Sequence, residues 1–133
     1  MKLLIFGSTG GTGRELVRQA LDRGHSVAAF ARDPTKLEDI QHARLTLVRG
    51  DVLDLAAVSG AVSGHEGILV AIGAGSKRTT LREEGTRHIV RAMQEAGVQR
   101  LIGQSSLGVG DSRANLSFFT KHVVVGIFLR HAF

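Results

Sequence analysis

Apolar residues along this chain fall into short runs closed by glycine or polar turns. These alternate with longer stretches in which apolar residues recur at helical spacing. Residues 3–6 are a continuous apolar run ended by Gly7, the pattern of a strand buried on both faces in a parallel sheet. Residues 13–23 carry Leu16, Val17, Ala20 and Leu21 as a helical stripe, and Gly24 stands where a helix C-terminus favours glycine. Residues 26–31 predict a second strand. In "RDPTKL", Asp33 precedes Pro34 as a helix cap precedes a first-position proline. Residues 45–48 predict a third strand, ended by "GDVLD", and residues 55–62 a short helix. Residues 67–72 predict a fourth strand, followed by the loop "GAGSKRT". Thr80-x-x-Glu83 reads as a capping box before a helix that carries Ile89, Val90 and Met93 and stops at Ala96. Residues 101–104 predict a fifth strand running into "SSLGVG", and residues 116–131 a last, very apolar helix.

Strands alternating with helices favour right-handed parallel crossovers, hence an α/β fold with a doubly wound parallel sheet of about five strands. Residues 1–133 form one domain, without internal repeat, linker or low-complexity segment. The last helix is apolar and has no polar tail, so the expectation is the N-terminal part of a longer chain whose C-terminal substrate part lies beyond residue 133.

The totals narrow the chemistry. The chain has no cysteine, which excludes disulfides, a thiolate nucleophile and cysteine metal sites; no metal-binding cluster is apparent. It also has no tyrosine. "MKLLIFG" is too short an apolar stretch for a signal peptide. "VVVGIFL" falls far short of the roughly 20 apolar residues of a membrane span. The expectation is a soluble, cytoplasmic protein that does not bind membranes. The net charge of +5 comes from dispersed Lys and Arg residues without aromatic interleaving, which argues for a small-molecule partner and against nucleic acid.

The chemistry concentrates in "FGSTGGTGREL", where Gly7, Gly10 and Gly13 form G-x-x-G-x-x-G between the first strand and first helix. There the first glycine permits a tight turn, the second lets the backbone approach a pyrophosphate, and the third packs helix on strand. The helix dipole and free N–H groups hold phosphates, and Thr9 and Thr12 can add hydroxyl donors. No Lys-Ser/Thr follows the last glycine, which disfavours a P-loop.

At the tip of the second strand Arg32 precedes Asp33, with Thr35 and Lys36 behind. Cationic groups there suit a ribose 2′-phosphate, so NADP(H) is expected over NAD(H). Asp33 is read as a cap before Pro34; facing the ribose instead, it would reverse the preference. Asp51 either accepts from an adenine amino group, with Val52 packed on the ring, or starts a helix turn. Ile72 and Gly73 lie at the carboxyl edge of the sheet, where doubly wound folds bind ligands.

In "IFGSTGGTG", "ARDPTKL", "RGDVLD", "LVAIG", "EEGTRHIVRAMQEAGVQRLI" and "QSS" the chain resembles the atypical short-chain dehydrogenase/reductase superfamily, NmrA-like NAD(P)H-binding type. Within it the chain is most similar to the flavin reductase/biliverdin reductase B group. The resemblance implies a Rossmann fold. It places Gly7, Thr9, Gly10 and Thr12 at the pyrophosphate, Arg32, Thr35 and Lys36 at the 2′-phosphate, and Asp51 and Val52 at adenine. It puts Ile72 and Gly73 near the nicotinamide-side ribose, and Ser105 and Ser106 beside the nicotinamide.

Much of that superfamily uses Tyr-x-x-x-Lys, in which Lys lowers the phenol pKa so that it can protonate an alkoxide. A chain without tyrosine cannot supply that pair. Ser106 is the candidate polar group at the hydride position, orienting carboxamide or substrate; a turn-capping role is the alternative. Flavins and quinones accept hydride without a dedicated acid. The expected activity is therefore an NADPH-dependent oxidoreductase, a reductase of a flavin, quinone or similar planar acceptor. The alternatives are a catalytically inert NADP(H) sensor of NmrA type and, further off, a nucleotide-sugar epimerase or dehydratase. Oligomeric state is left open.

Overall fold

The computed structural model describes residues 1–72 and 79–104. In chain order the elements are β1 (Lys2–Phe6), α1 (Gly11–Asp22), β2 (Ser26–Ala31), a single 3-10 turn (Pro34–Leu37), β3 (Leu45–Arg49), α2 (Leu55–Val62), β4 (Gly67–Val70), α3 (Thr79–Ala96) and β5 (Leu101–Gly103). The strands form one sheet in the order β3-β2-β1-β4-β5, and all four pairings are parallel. The chain moves outward from β1 to β3 and then crosses back to place β4 on the other side of β1. That reversal opens a crevice beyond the carboxyl ends of β1 and β4.

Both faces of the sheet are covered, which is why its central strands read as unbroken apolar runs. Side chains alternate along a strand. Leu4, Phe6, Ala28, Phe30, Ile68 and Val70 pack on one face against Val58 and Val62 of α2 and Ile89, Ala92 and Met93 of α3. Leu3, Ile5, Val27 and Ala29 pack on the other against Val17, Ala20 and Leu21 of α1, with Leu37 of the 3-10 turn beside them. The doubly wound expectation is met by this division of helices.

Most element ends fall where the sequence puts them. α1 stops at Asp22 and Gly24 takes φ +86°, a left-handed conformation that closes a helix at little cost only for glycine. Asp33 caps the 3-10 turn through its carboxylate, with Pro34 at the first position. Some ends differ. α1 begins at Gly11, one residue after Gly10 as its N-cap, rather than at residue 13. β4 ends at Val70, although the Ala71 N–H still reaches the Phe6 carbonyl at 2.9 Å, so the apolar pattern runs one rung past the strand. α3 starts at Thr79, which puts Thr80 inside the first turn rather than at the cap. The loop at 73–78 and the helix expected over 116–131 lie outside the described residues. Among the described residues, no helix is long and apolar enough to cross a membrane.

Candidate functional site

The turn between β1 and α1 forms one wall of the crevice. Gly7 adopts φ +74°, and a Cβ there would collide with the Ala71 carbonyl and come within 2.7 Å of the Ile72 nitrogen. Only glycine lets β1 leave the sheet this close to β4. Gly13 is buried beneath the turn, and a Cβ on it would run into the Gly7 carbonyl. Its role is therefore to seat α1 on β1; it does not itself face the crevice. Ser8, which no sequence signal singled out, is fully buried and donates from Oγ to the Phe30 carbonyl at 3.0 Å, tying the turn to the end of β2.

Gly10 and Gly11 behave differently. Both are exposed; among the described residues, a Cβ on Gly10 would find only the Gly7 carbonyl at 3.7 Å, and one on Gly11 nothing within 4 Å. Among the described residues, nothing requires glycine at either position. The N-terminus of α1 has no side-chain cap and no acid in its first turn. Its first amides thus lack the i−4 carbonyl partners of a helix interior, and the positive end of the helix dipole is left open. A backbone stripped of side chains, with free donors and a positive dipole end, is a cradle for a diphosphate.

That cradle opens onto a cleft of about 270 Å³ whose walls include Gly7, Thr9, Gly10, Arg32, Val52 and Ile72. Phe6 and Phe30, both nearly fully buried, are also among the lining residues, with ring centroids 4.8 Å apart. The volume lies just under the roughly 300–1,000 Å³ usual for small-ligand pockets, which suits the nucleoside half of a dinucleotide. Thr12, by contrast, is exposed on α1 and is not part of this wall.

An adjoining depression of about 290 Å³ shares Thr9 and Arg32 with the cleft and adds Asp33 and Lys36. Here two cations face one carboxylate. Both Thr35 groups bind Asp33 Oδ1, the N–H at 3.2 Å and the hydroxyl at 2.5 Å. The hydroxyl bond is the main reason the Asp33 carboxyl sits below its ordinary range, with Lys36 and Arg49 adding attraction. Thr35 therefore serves the cap and is not brought into the depression. Arg49, at the end of β3, escaped the sequence reading because only strand pairing brings it near Asp33. Arg14 of α1 donates to the Lys36 carbonyl at 2.6 Å and pairs with Asp39, so the first turn of α1 fixes the segment that carries Lys36. The Arg14 guanidinium likewise holds the Asp39 carboxyl below the usual range.

Of the two readings left open for Asp51, the structure favours the turn: Oδ1 accepts from the Leu53 N–H at 2.9 Å. Asp51 is absent from the cleft wall, whereas its neighbour Val52 is part of it. Asp54 caps α2 through the N–H groups of Ala56 and Ala57. Gly73, Ser105 and Ser106 lie outside the described residues. Among the described residues, no cluster of His, Asp and Glu can hold a metal ion.

A family model described as NAD(P)H-binding matches residues 7–131. Among curated proteins the chain is 31% identical over 106 residues to the photosystem II assembly factor Ycf39 of Synechocystis, covering 77% of this chain and 32% of that protein. It is 34% identical over 123 residues to cinnamoyl-CoA reductase 1 of Oryza sativa, covering 85% and 36%. The chain thus spans about a third of the length of these relatives. Among solved structures, a Rossmann-fold NAD(P)-binding family protein from Shigella flexneri superimposes with TM-score 0.73 at 26% identity, covering 88% of this chain and 60% of that one. A short-chain dehydrogenase/reductase superfamily protein from Agrobacterium tumefaciens with bound NAD gives TM-score 0.65 at 28% identity, covering 80% and 33%. With its glycine-rich turn at the switch point of a parallel sheet, and a family match over nearly its whole length, this chain belongs to the NAD(P)H-binding family and is of the atypical short-chain dehydrogenase/reductase kind.

Proposed function

We propose that the cleft holds NADP(H), and that the protein is an NADPH-dependent oxidoreductase whose acceptor is a flavin, a quinone or a similar planar small molecule. The observation that carries the reading is the contrast among the glycines: Gly7 and Gly13 are needed by the fold, whereas Gly10 and Gly11 leave room that no atom of the described residues uses. The amides at the start of α1 hold the diphosphate, with Thr9 beside them in the wall and Thr12 within reach of its outer side. Val52 packs against the adenine side. Arg32 and Lys36 receive the 2′-phosphate, their two charges outweighing the single carboxylate of Asp33, whose Oδ1 is committed to Thr35.

Bound there, the cofactor supplies a hydride. The chain's share of the chemistry would be to fix the dinucleotide, with Ile72 and, as the resemblance implies, Gly73, Ser105 and Ser106 serving its nicotinamide side. Ser106 is proposed to orient the carboxamide or the acceptor by hydrogen bonding. Planar acceptors take their accompanying proton from water, so the lack of a tyrosine in this chain is compatible with such turnover. Relatives named as a cinnamoyl-CoA reductase and a 3-beta-hydroxysteroid dehydrogenase support an oxidoreductase.

One second reading has support of its own, an NADP(H)-binding sensor of NmrA type without turnover. A relative named as an assembly factor supports it, as does the resemblance to NmrA-like proteins. Titration with NADPH and NADH, followed by assay of NADPH oxidation with FMN and with a quinone, tests both. NADPH binding at least about tenfold tighter than NADH, a difference of about 1.4 kcal/mol, with turnover is the expected result. Tight binding without turnover selects the sensor, and tighter NADH binding removes the role given to Arg32.

A further inference from the structure

The two lips of the cleft come from segments far apart in sequence: Val52 follows β3, and Ile72 follows β4. Both are touched by one helix. Leu81, Gly85 and His88 of α3 fall within roughly 60° of one another at 3.6 residues per turn, a single narrow stripe. Leu81 lines the cleft itself. Gly85 is buried, and a Cβ there would meet Val52 Cγ2 at 2.9 Å, Cγ1 at 3.0 Å and Ile72 Cδ1 at 3.5 Å. The two lips therefore converge on this glycine. His88 Nδ1 lies 2.9 Å from the Val52 carbonyl. A carbonyl only accepts, so Nδ1 carries the proton of this bond. One step around the helix, Arg82 Nε donates to the Ile72 carbonyl at 3.2 Å.

We propose that α3 sets the width of the nucleoside cleft: Gly85 and His88 position Val52, and Arg82 holds Ile72. Neither Gly85 nor His88 lines the cleft, so each acts through Val52 as a positioning residue. Glycine inside an 18-residue helix is unfavourable relative to alanine, and its value here is the close approach of Val52. A methyl at residue 85 pushes Val52 into the space of the adenine. Loss of the His88 bond frees the Val52 backbone to drift. The inference rests on the nucleotide reading given above.

The test measures dissociation constants for NADPH and for 2′,5′-ADP in the wild-type protein, Gly85→Ala, His88→Ala and His88→Asn, with melting temperatures alongside. Gly85→Ala is expected to melt close to wild type, because alanine favours the helix, yet to bind both ligands about tenfold more weakly, or about 1.4 kcal/mol. The two ligands share the adenosine half and should lose affinity equally. His88→Ala is expected to weaken both several-fold. His88→Asn, whose amide can donate from nearly the same place, should recover most of that loss. A merely structural role would lower melting and binding together and show no such recovery. Wild-type affinity in Gly85→Ala and His88→Ala overturns this inference and leaves the proposed function standing. If wild type binds neither ligand, the proposed function falls and takes the inference with it. Should Gly85→Ala fail to fold, the two His88 variants decide.

Discussion

Gly10→Ala and Gly13→Ala, three residues apart in one turn, should fail in opposite ways. At residue 13 the new methyl runs into the Gly7 carbonyl, which belongs to backbone and cannot rotate away. α1 must lift from β1, and overpacking of this kind typically costs about 1–3 kcal/mol. Alanine in a helix returns up to about 1 kcal/mol, so a net loss of roughly 2 kcal/mol remains if the strain is at the upper end. For a domain of this size that lowers the melting temperature by roughly 8 °C. At residue 10 the methyl sits 3.7 Å from the same carbonyl, an ordinary contact, and φ −75° suits alanine. Glycine is the better N-cap, so the cost there is at most about 1 kcal/mol. The methyl instead occupies the space a diphosphate needs, and binding of NADPH should weaken at least tenfold, about 1.4 kcal/mol. Thermal melting and calorimetric titration of both variants check the contrast. Equal binding by Gly10→Ala and wild type would refute the assignment of that space to the ligand. Unchanged melting of Gly13→Ala would refute the packing role.

Arg32→Ala should raise the dissociation constant for NADPH about tenfold and leave that for NADH nearly unchanged, since only the former carries the 2′-phosphate; paired titrations read the ratio. Ser8→Ala removes a fully buried hydroxyl from the Phe30 carbonyl and should cost about 1 kcal/mol by denaturant unfolding, without altering which dinucleotide binds. Asp33 and Asp39 have folded-state pKa values below the 3.8 of the free side chain, so their contribution is present above that value and lost as pH falls through the lowered folded values. Asp39→Asn should therefore reduce the steepness of acid unfolding below about pH 4 in a pH series, with little change in that slope between pH 5 and 7.

The parts of the fold legible in the sequence are those fixed by local pattern. β2 and α2 occupy the residues their patterns predict, because burial on both sheet faces makes one an unbroken apolar run and Asp54 caps the other. Misplaced ends have local causes too. Ala71 and Ile72 are as apolar as the strand before them, yet β4 ends at Val70. Thr80 has the right residue three positions on, but the helix has already begun one residue earlier. Within the site, the glycine spacing pointed to the turn, and the place of Arg32 and Lys36 at the tip of the second strand pointed to them. The spacing also gave Gly10 to the ligand and Gly13 to packing of helix on strand, and the Gly7 carbonyl, close over Gly13 and clear of Gly10, agrees with that division. Asp33 had a capping and a ligand reading and Asp51 a turn and a ligand reading; their hydrogen bonds from Thr35 and Leu53 favour the cap and the turn. Gly85, His88 and Arg49 carried no local signal. Their partners are Val52 for the first two and Asp33 for the third, brought to them only by the folded sheet and helices.

The central claim is that main-chain amides at the start of α1 hold the diphosphate of a nicotinamide dinucleotide. Backbone amide resonances of residues 7–13, followed through a titration with NADPH, test it most directly. The account predicts that Gly10, Gly11 and Thr12 shift most and saturate with the binding isotherm. Amide resonances over that segment that stay in place at saturating dinucleotide would contradict it.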